Sequence, residues 1–411
     1  MWLDEQDAKQ LLAGFGIESP PGGLAASPQE AGRLAARLGT EVYVKALVPA
    51  SGRAGLGGVV RAVSPADAER AFGAVTAALG ATHARVEAAC DVEAEYYAAL
   101  AVLPGEPGPV ILVSAAGGTG IEDRLHDSAR TLIDPLLGLR PFHLRAALSD
   151  AGIPVLLRPQ LSQLLSACYQ VMLACDALLV ELNPVACTGG RLVALDARVV
   201  VDDYAVASHA ELAATRASER EAASVPGQLR ELGIDYVDLG GQIGIVGLGA
   251  GLTMHLADWI DSSGGSAAYF FDATVAAVRD HAAMFERRPP EGFARSLAAG
   301  LRLARPGVGV LLANFTSGGT PVDSLTAGLL TALAEVGWPG QVVLHAAGNR
   351  QAEARRMPLP DRVSRAWSLG EAVKAAVATA EARLWASSSA GRHRSASRAS
   401  PVPAGWRTPG P

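Results

Sequence analysis

Two apolar segments flank a Gly-Gly pair near the middle of the chain, and polar side chains recur along both segments. This pattern predicts a β-hairpin with Gly189 and Gly190 as its two turn residues. In that register Asn183 faces Asp196. Because directly opposed residues have Cβ atoms roughly 4.5–5.5 Å apart, an amide oxygen and a carboxylate converge there. Oxygen ligands of this kind suit Mg²⁺ that also binds the phosphates of a substrate.

The same register places Glu181 opposite Arg198. Because side chains alternate along a strand, these two residues and the Asn183–Asp196 pair project from one face of the hairpin. An ordinary hairpin with a polar face, on which Glu181 and Arg198 form a surface ion pair, is the competing interpretation. The opposite face is predicted to belong to the core and carries Val180, Leu182, Leu195, Ala197 and Val199.

A lysine lies in an apolar strand that precedes a glycine-rich loop. Lys45 is one of only three lysines in a chain that otherwise uses arginine, and burying it is costly unless it is paired or faces a cleft. The loop, residues 51–58, is not a Walker loop. Its glycines still allow backbone N–H groups to approach phosphate oxygens, with Arg53 adding charge. Phosphate binding is the functional interpretation, and an edge lysine reaching into solvent is the alternative.

Three further segments carry residues that could contact a ligand. Glu87, near a strand end, could accept from a nucleobase amine or a ribose hydroxyl, or could simply be solvated. The turn 247–251 and Asp272, which lies 21 residues beyond Gly251, have the placement of a dinucleotide site, although Gly-x-Gly-x-Gly departs from the usual spacing. Residues 314–323 offer backbone donors and a helix N-terminus to a carboxylate. No pattern typical of a hydrolase occurs.

The elements that position these residues differ between the two halves of the chain. The first half mixes hairpins with helices, which is typical of an α+β domain. In the second half four short apolar strands, each followed by a helical segment, predict a doubly wound parallel sheet. Helices are predicted at 3–14, 27–38, 65–79, 140–151, 159–176 and 369–386, and strands at 41–48, 59–63, 84–88, 95–103, 109–115, 242–246, 267–271, 308–314 and 341–345.

Bulk properties exclude several classes of protein. A chain of 411 residues is long enough for two or three domains. The net charge of −6 gives no bulk attraction to nucleic acid or to an anionic membrane. We expect no transmembrane helix, because no apolar stretch of about 20 residues occurs, and no signal peptide. The four cysteines have neither metal-ligand spacing nor the density of a secreted scaffold, which favours a cytoplasmic protein.

The order of these features resembles the β subunit of succinyl-CoA synthetase, an acid–thiol ligase with an ATP-grasp half and a CoA-ligase half. The resemblance covers about residues 2–385. Its most specific segments are Glu181-Leu182-Asn183-Pro184 and Leu195-Asp196-Ala197-Arg198. The domains that it implies are an ATP-grasp nucleotide-binding domain (1–205), a connecting segment (206–235) and a flavodoxin-like CoA-ligase domain (236–386). Beyond them, residues 387–411 are rich in Ser, Arg, Pro and Gly and contain no acidic residue, a composition that predicts a disordered basic tail.

This resemblance implies a ligand for each site. Such a subunit uses ATP or GTP with Mg²⁺ to activate a small carboxylic acid such as succinate. Its partner is a separate α subunit, which binds CoA and carries the phosphohistidine, so no histidine of this chain needs to be catalytic, and His255 and His345 are expected to be structural. The implied nucleotide-binding residues are Lys45, Gly52, Arg53, Ala54, Glu87, Cys90 and Glu95, the metal ligands Asn183 and Asp196, and the acid-binding residues Leu248, Gly318, Gly319 and Thr320.

The chain departs from the family pattern mainly in the acid-binding half. Leu248 replaces an asparagine, Asp272-Ala273-Thr274-Val275 replaces Asp-Val-Gly-Gly-Gly, and residues 316–321 differ from Phe-Gly-Gly-Ile-Val-Arg. The nucleotide loop also lacks a second lysine and has Gly55 in its place. These departures raise the alternative of a non-catalytic paralogue that binds nucleotide and has a regulatory or scaffold role.

Overall fold

The computed structural model describes residues 1–48, 52–118, 128–213 and 215–396. The chain forms two compact units, Met1–Glu221 and a second that begins at Ala222. The division therefore falls inside the predicted connecting segment. Within its described residues the first unit contains strands β1 Trp2–Leu3, β2 Gly22–Ala25, β3 Val42–Ala46, β4 Val59–Ala62, β5 Ala84–Ala88, β6 Ala94–Ala101, β7 Val110–Ser114, β8 Ala129–Leu132, β9 Ala177–Thr188, β10 Arg191–Ala194 and β11 Ala197–Val201.

These strands form two sheets. The larger sheet has the order β1-β11-β9-β6-β7-β8, with β10 paired to β9, and the smaller has the order β2-β5-β3-β4. All of their strand pairs are antiparallel. The predicted α+β character of this half is thus confirmed. The helices up to residue 223 are α1 Glu5–Ala13, α2 Pro28–Leu38, α3 Pro65–Leu79, α4 Pro141–Asp150, α5 Arg158–Ala174, α6 Ala210–Ala213 and α7 Arg216–Ala223.

Local sequence explains where α2 begins. The Ser27 hydroxyl accepts from the backbone N–H of Glu30 at 3.3 Å, so it satisfies one of the free donors of the first turn. The Glu30 carboxylate accepts from the N–H of Ala26 at 2.7 Å. Ser27 and Glu30 therefore form a capping box in which the glutamate bonds the N–H of Ala26 instead of that of Ser27.

The second unit contains one six-stranded sheet of order β12-β14-β13-β15-β16-β17. Strands β13 to β17 run parallel in the flavodoxin-like order 2-1-3-4-5, and β12 adds an antiparallel edge. The predicted doubly wound fold is confirmed. The elements are α8 Val225–Glu231, β12 Asp235–Asp238, β13 Ile243–Gly247, α9 Ala250–Ser262, β14 Ala267–Asp272, α10 Thr274–Arg279, α11 His281–Phe285, α12 Glu291–Leu303, β15 Val310–Ser317, α13 Val322–Glu335, β16 Gln341–Gly348, α14 Gln351–Arg356, β17 Val363–Ala366 and α15 Leu369–Ala396.

Both faces of this sheet are buried, as a parallel sheet requires. Alternate residues of β15 enter different cores: Leu311 packs in a cluster with residues of α12 and α13, and Leu312 packs in a cluster with residues of α9 and α15.

One sequence prediction is wrong at the end of this unit. The terminal helix continues to Ala396, so residues 387–396 are helical where a disordered tail was expected. The rest of that predicted tail, 397–411, lies outside the described residues.

Candidate functional site

The hairpin that carries the predicted metal ligands has the expected register. Thr188 pairs with Arg191, and Glu181 pairs with Arg198. Between these pairs the Asn183 backbone N–H donates to the Asp196 carbonyl at 3.2 Å. Gly189 and Gly190 form the turn with φ of +55° and +73°. Positive φ at both positions is the requirement of a type I′ turn, which glycine meets without strain.

Burial on this hairpin follows the predicted alternation with one exception. Val180, Leu182, Ala197 and Val199 are all buried, at 5% exposure or less. Leu195 was expected to join them, but it is half-buried and lines a cavity. The chain bends at Leu195 and Asp196, between the two strands that pair with β9, and this bend removes Leu195 from the regular core face.

The first unit contains a cavity of about 320 Å³ beside this hairpin. Its volume is within the range of ligand pockets. All seven predicted nucleotide-binding residues and both predicted metal ligands line it. They come from β3, the loop after it, β5, the segment between β5 and β6, β6 and the hairpin: Lys45, Gly52, Arg53, Ala54, Glu87, Cys90, Glu95, Asn183 and Asp196.

Lys45 is buried in an ion-pair network rather than reaching into solvent from a sheet edge. It is 7% exposed, and its ammonium group lies 3.0 Å from a carboxylate oxygen of Glu5 and also pairs with Glu87. It donates to the Leu195 carbonyl at 2.6 Å. The edge-lysine alternative is therefore wrong. The lysine is held at the cavity wall, immediately beside the bend that carries Leu195 and Asp196.

Lys9 of α1 completes this network, and sequence reasoning did not identify it. Its ammonium group lies 2.9 Å from Glu5 and 2.7 Å from Glu87, and donates to the Leu195 carbonyl at 2.6 Å. Arg85 adds a further cation, 2.8 Å from Glu87. The scarcity of lysine was an available signal, because two of the three lysines of the chain meet here.

Arg53 connects the glycine-rich loop to the predicted metal site. Its guanidinium donates to Asp196 at 2.7 Å, to Glu5 at 2.6 Å and to the Ala46 carbonyl at 2.8 Å. It lies in a short 3-10 helix, Arg53–Leu56, which starts after Gly52 in a left-handed conformation. The described part of the loop thus places a cation against the Asp196 carboxylate. Ser51, the first residue of the predicted loop, lies outside the described residues.

The network shifts the pKa values of its members. Burial would raise the pKa of Glu5 and of Glu87, but the neighbouring Lys45 and Lys9 outweigh burial and hold both below the usual carboxyl range. Burial would lower the pKa of Lys45, and Glu5 and Glu87 reverse this, so it is raised. Lys9 has a lowered pKa because burial prevails. Asp196 has a raised pKa because burial and Glu5 outweigh Arg53. All five effects act on one site.

The predicted metal ligands present two oxygen atoms to the cavity that could coordinate a metal ion. The Asn183 side-chain oxygen accepts from the Gly118 N–H at 2.8 Å, which fixes the amide orientation and leaves a lone pair. The Asp196 side chain is 37% exposed. Within the described residues, no cluster of three or more His, Cys, Asp or Glu side chains could hold an ion. One amide and one carboxylate fit Mg²⁺, which commonly completes its shell with water and substrate phosphates.

Glu87, Cys90 and Glu95 line another part of the cavity. Glu87 is 2% exposed and fully engaged with cations, so the solvated alternative is wrong. The Cys90 thiol lies 3.9 Å from the Ala88 carbonyl, and burial followed by the Glu87 charge raises its pKa. Glu95 is exposed. This part of the wall can therefore offer one free carboxylate and an uncharged thiol to a ligand.

Trp2 and Arg198 form another part of the cavity wall that the sequence did not single out. The Arg198 guanidinium stacks on the Trp2 ring, 3.8 Å from its centroid, and both side chains line the cavity. The predicted ion pair with Glu181 is present at 3.6 Å, with Glu181 12% exposed. It is therefore an ion pair of the cavity wall and not one of the open surface.

The predicted acid-binding residues lie in the second unit, at the ends of adjacent parallel strands. Gly247, the last residue of β13, pairs with Asn314 of β15, and these are the strands at which the sheet order reverses. Ligands of open α/β sheets bind at such a switch point. Leu248 is half-buried and packs against the core, and Thr320 is 9% exposed with its N–H bonded to the Ser317 hydroxyl. Gly318 and Gly319 are exposed and lie between Ser317 and Thr320 in the chain.

The dinucleotide interpretation of this unit is weakened by the position of Asp272. One oxygen of its carboxylate accepts from the N–H of Gly249 at 3.0 Å and from the N–H and hydroxyl of Thr274. The acid that would bind ribose and the turn that would bind phosphate are thus bonded to each other.

The two histidines expected to be structural have internal contacts. His345 is buried, with its ring nitrogen 2.8 Å from the Asn314 side-chain oxygen, and burial lowers its pKa. His255 packs against the ring of Trp259.

The two sheets around a cavity with a cationic wall define the first unit as an ATP-grasp domain, and residues 2–187 match the ATP-grasp domain family. The β subunit of the GDP-forming succinate–CoA ligase of Thermus thermophilus is 34% identical over 366 residues, covering 87% of this chain and 93% of that protein. The ADP-forming counterpart of Pyrobaculum aerophilum is 33% identical over 390 residues, covering 92% and 99%. This chain therefore belongs to the succinate–CoA ligase β-subunit family.

A solved structure supports the same fold. ATP citrate lyase from Methanothrix soehngenii, in complex with citrate and coenzyme A, matches with a TM-score of 0.64 at 17% identity, covering 91% of this chain and 98% of that chain. The predicted fold class, an ATP-grasp domain followed by a CoA-ligase domain, is confirmed. No helix in the described part of the chain is long and apolar enough to cross a membrane.

Proposed function

We propose that this chain is the nucleotide-binding, β-type subunit of an acid–thiol ligase. The enzyme would couple hydrolysis of ATP or GTP to acyl-CoA formation from a small carboxylic acid such as succinate. The observation that carries the proposal is the convergence of Lys45, Arg53, Asn183 and Asp196 on one cavity of about 320 Å³. Residues 1–205 would bind the nucleotide, and residues 236–386 would form the CoA-ligase domain.

In this proposal the two cations bind the phosphate groups. Lys45 and Arg53 carry permanent charge at neutral pH, since neighbouring carboxylates raise the pKa of both. The Gly52 and Ala54 backbone lies beside Arg53 and lets phosphate oxygens approach. Cys90 and Glu95, which line the same cavity, would contact the base and ribose. Glu87 would act chiefly by holding Lys45 in place.

Asn183 and Asp196 would hold Mg²⁺, and the bound ion would neutralise negative charge on the reacting phosphates. In the structure Asp196 accepts from Arg53. Metal binding would therefore compete for this carboxylate and would release part of the Arg53 guanidinium toward the phosphates. Glu5 would keep Arg53 anchored throughout, through its 2.6 Å contact.

The partner in this proposal is an α-type subunit that binds CoA and carries the phosphohistidine. Its histidine nitrogen would attack the terminal phosphorus of the nucleotide, forming an N–P bond as the bond to the leaving nucleoside diphosphate breaks. The phosphoryl group would pass to the carboxylate of the acid, and the CoA thiol would then displace phosphate to give the thioester. Leu248, Gly318, Gly319 and Thr320 would contact the acid.

All four cysteines are free thiols, in keeping with a cytoplasmic enzyme.

A second candidate function is a non-catalytic paralogue with a regulatory or scaffold role. The observation that favours it is the composition of the predicted acid site. Leu248 offers no polar group and packs against the core, and the N–H of Thr320 is already bonded to Ser317. Nucleotide binding would persist in such a protein, whereas transfer would not.

Two measurements on the purified chain test these proposals in sequence. Calorimetric titration with Mg–ADP and Mg–GDP first establishes nucleotide binding. The chain is then mixed with a candidate α-type subunit and [γ-³²P]ATP or GTP, and acid-labile label on that subunit is counted. Binding followed by labelling supports the ligase. Binding without labelling of cognate partners favours the paralogue, and absence of binding to either nucleotide overturns both.

A further inference from the structure

Arg198 is a third cation at the cavity, and neither the family resemblance nor the composition of the chain assigned it a role. Its guanidinium is oriented by stacking on Trp2 at 3.8 Å. The Glu181 carboxylate lies 3.6 Å away, a separation longer than a hydrogen bond. Its Nε atom is buried without a hydrogen-bond partner. An arginine fixed in this way keeps N–H donors for another acceptor.

The other two cations of the cavity wall already have close carboxylate partners. Lys45 is paired with two carboxylates, and Arg53 donates to Glu5 and Asp196. Both are therefore largely neutralised before any ligand binds. Arg198 has a single, longer ion pair and 32% side-chain exposure. It is the wall cation with the most unsatisfied charge among these three.

The pairing of β9 with β6 and β11 gives the order of the cavity residues along the strand. Glu95 pairs with Ala186, three residues from Asn183, and Arg198 pairs with Glu181, two residues from Asn183 in the opposite direction. At about 3.3 Å per residue, Glu95 lies roughly 10 Å to one side of the metal pair and Arg198 roughly 7 Å to the other. A nucleotide with its ribose near Glu95 and its metal-bound phosphates near Asn183 would extend its terminal phosphate toward Arg198.

We propose that Arg198, positioned by the Trp2 ring, binds the terminal phosphate of the nucleoside triphosphate and neutralises it during transfer. This inference rests on the proposed function, because it assumes a nucleotide in this cavity. The guanidinium presents two parallel donors, which suit phosphate oxygens. Trp2 acts as a positioning residue in this proposal, because its ring stacks on the Arg198 guanidinium and orients it.

The test compares two ligands that differ in the terminal phosphate. Mg–AMPPNP and Mg–ADP, or the guanine analogues, are titrated calorimetrically into the full chain and its variants. Arg198→Gln is expected to weaken triphosphate-analogue binding roughly 10- to 100-fold, the size of a lost charge-assisted contact, with diphosphate binding changed less than about twofold. Trp2→Leu is expected to lower the same preference by about two- to fivefold. Arg191→Gln is the matched control, because Arg191 lies on the same hairpin, exposed and paired with Glu18.

The outcomes separate this inference from the proposal beneath it. Equal weakening of both ligands by Arg198→Gln, or no effect on either, overturns the terminal-phosphate role. Thermal melting without ligand checks that the variant is folded, and Arg198→Lys gives a second, conservative variant that should retain part of the preference. Failure of the unmodified chain to bind either ligand would instead contradict the nucleotide-binding function.

Discussion

Lys9 and Lys45 donate to the same oxygen atom, the carbonyl of Leu195, at 2.6 Å each. Two ammonium groups can share this acceptor because each also pairs with the carboxylates of Glu5 and Glu87, which balance the charge. The shared carbonyl belongs to the residue immediately before Asp196. The network therefore joins α1, the small sheet and the bend between β10 and β11 at one buried point, and it fixes Lys45 relative to Asp196.

Replacing Lys9 tests how much this network stabilises the first unit. Lys9→Met keeps the apolar stem but leaves Glu5 and Glu87 with one cation fewer in a buried setting. Removing one member of a buried ion pair typically costs about 3–5 kcal/mol, so we expect a loss of this size in the free energy of unfolding. Urea denaturation followed by circular dichroism measures it.

Lys374→Met is the matched control for this experiment. Lys374 is the only other lysine outside the network, and it is exposed on α15. Its replacement should change the free energy of unfolding by less than about 0.5 kcal/mol. Equal effects of the two substitutions would contradict a stabilising role for the Lys9 pairs.

The carboxylates of the network predict a pH dependence of stability with a definite sign. Lys45 and Lys9 hold the pKa of Glu5 well below its usual value against the effect of burial. Such a group stabilises the fold at pH values above its unfolded pKa of about 4.3, and this contribution is lost as the pH falls through the folded pKa. The stability difference between the wild type and Glu5→Gln should therefore be largest near pH 7 and shrink below pH 4.

Urea unfolding at pH 3, 4, 5 and 7 gives this difference directly. Glu291→Gln is the control, because Glu291 is 74% exposed and its ion pair with Arg295 is long, at 3.6 Å. No pH-dependent difference is expected for it. A difference for Glu5→Gln that is constant from pH 3 to pH 7 would show that the carboxylate charge contributes nothing.

The turn of the hairpin predicts different responses to substitution at its two glycines. Both positions have positive φ, and a Cβ at either would meet no atom within 4 Å, so only backbone conformation matters. Gly190→Ala should destabilise the protein by about 1–2 kcal/mol. Gly189→Asn should be nearly neutral, since Asn-Gly is the preferred sequence of a type I′ turn. Thermal melting of the two variants checks this, and equal losses would contradict the turn assignment.

Contacts between residues close together in the sequence could be predicted, whereas contacts between residues far apart in the sequence could not. The Gly-Gly turn defines the register of the hairpin. Counting residues outward from the turn was therefore enough to predict that Asn183 lies opposite Asp196. The partners of Lys45 did not, because Glu5 is 40 residues away and nothing near Lys45 indicates it. Lys9 likewise reaches Glu87 across 78 residues. These contacts depend on the packing of α1 against the sheets, which periodicity does not report.

Some elements of the fold were missed for a related reason. Strands β1, β2, β8, β12 and β17 were not predicted, and each has only two to four residues. Strands this short have no measurable alternation and are defined by the neighbour with which they pair. Trp2 of β1 shows the consequence for function, because its role beside Arg198 appears only when β1 pairs with β11.

Asp196 is predicted to matter far more for catalysis than for stability. Burial and the Glu5 charge raise its pKa, so its ionised form is disfavoured in the fold, and its removal leaves Arg53 paired with Glu5. We therefore expect Asp196→Ala to keep the native melting behaviour but to abolish Mg-dependent phosphoryl transfer, because the amide of Asn183 alone is a poor Mg²⁺ site. Labelling of the α-type partner from [γ-³²P]ATP or GTP, measured across a Mg²⁺ titration, gives the result. Asp150→Asn, at the exposed end of α4, is the control and should label normally, whereas full labelling in Asp196→Ala would end the ligase proposal.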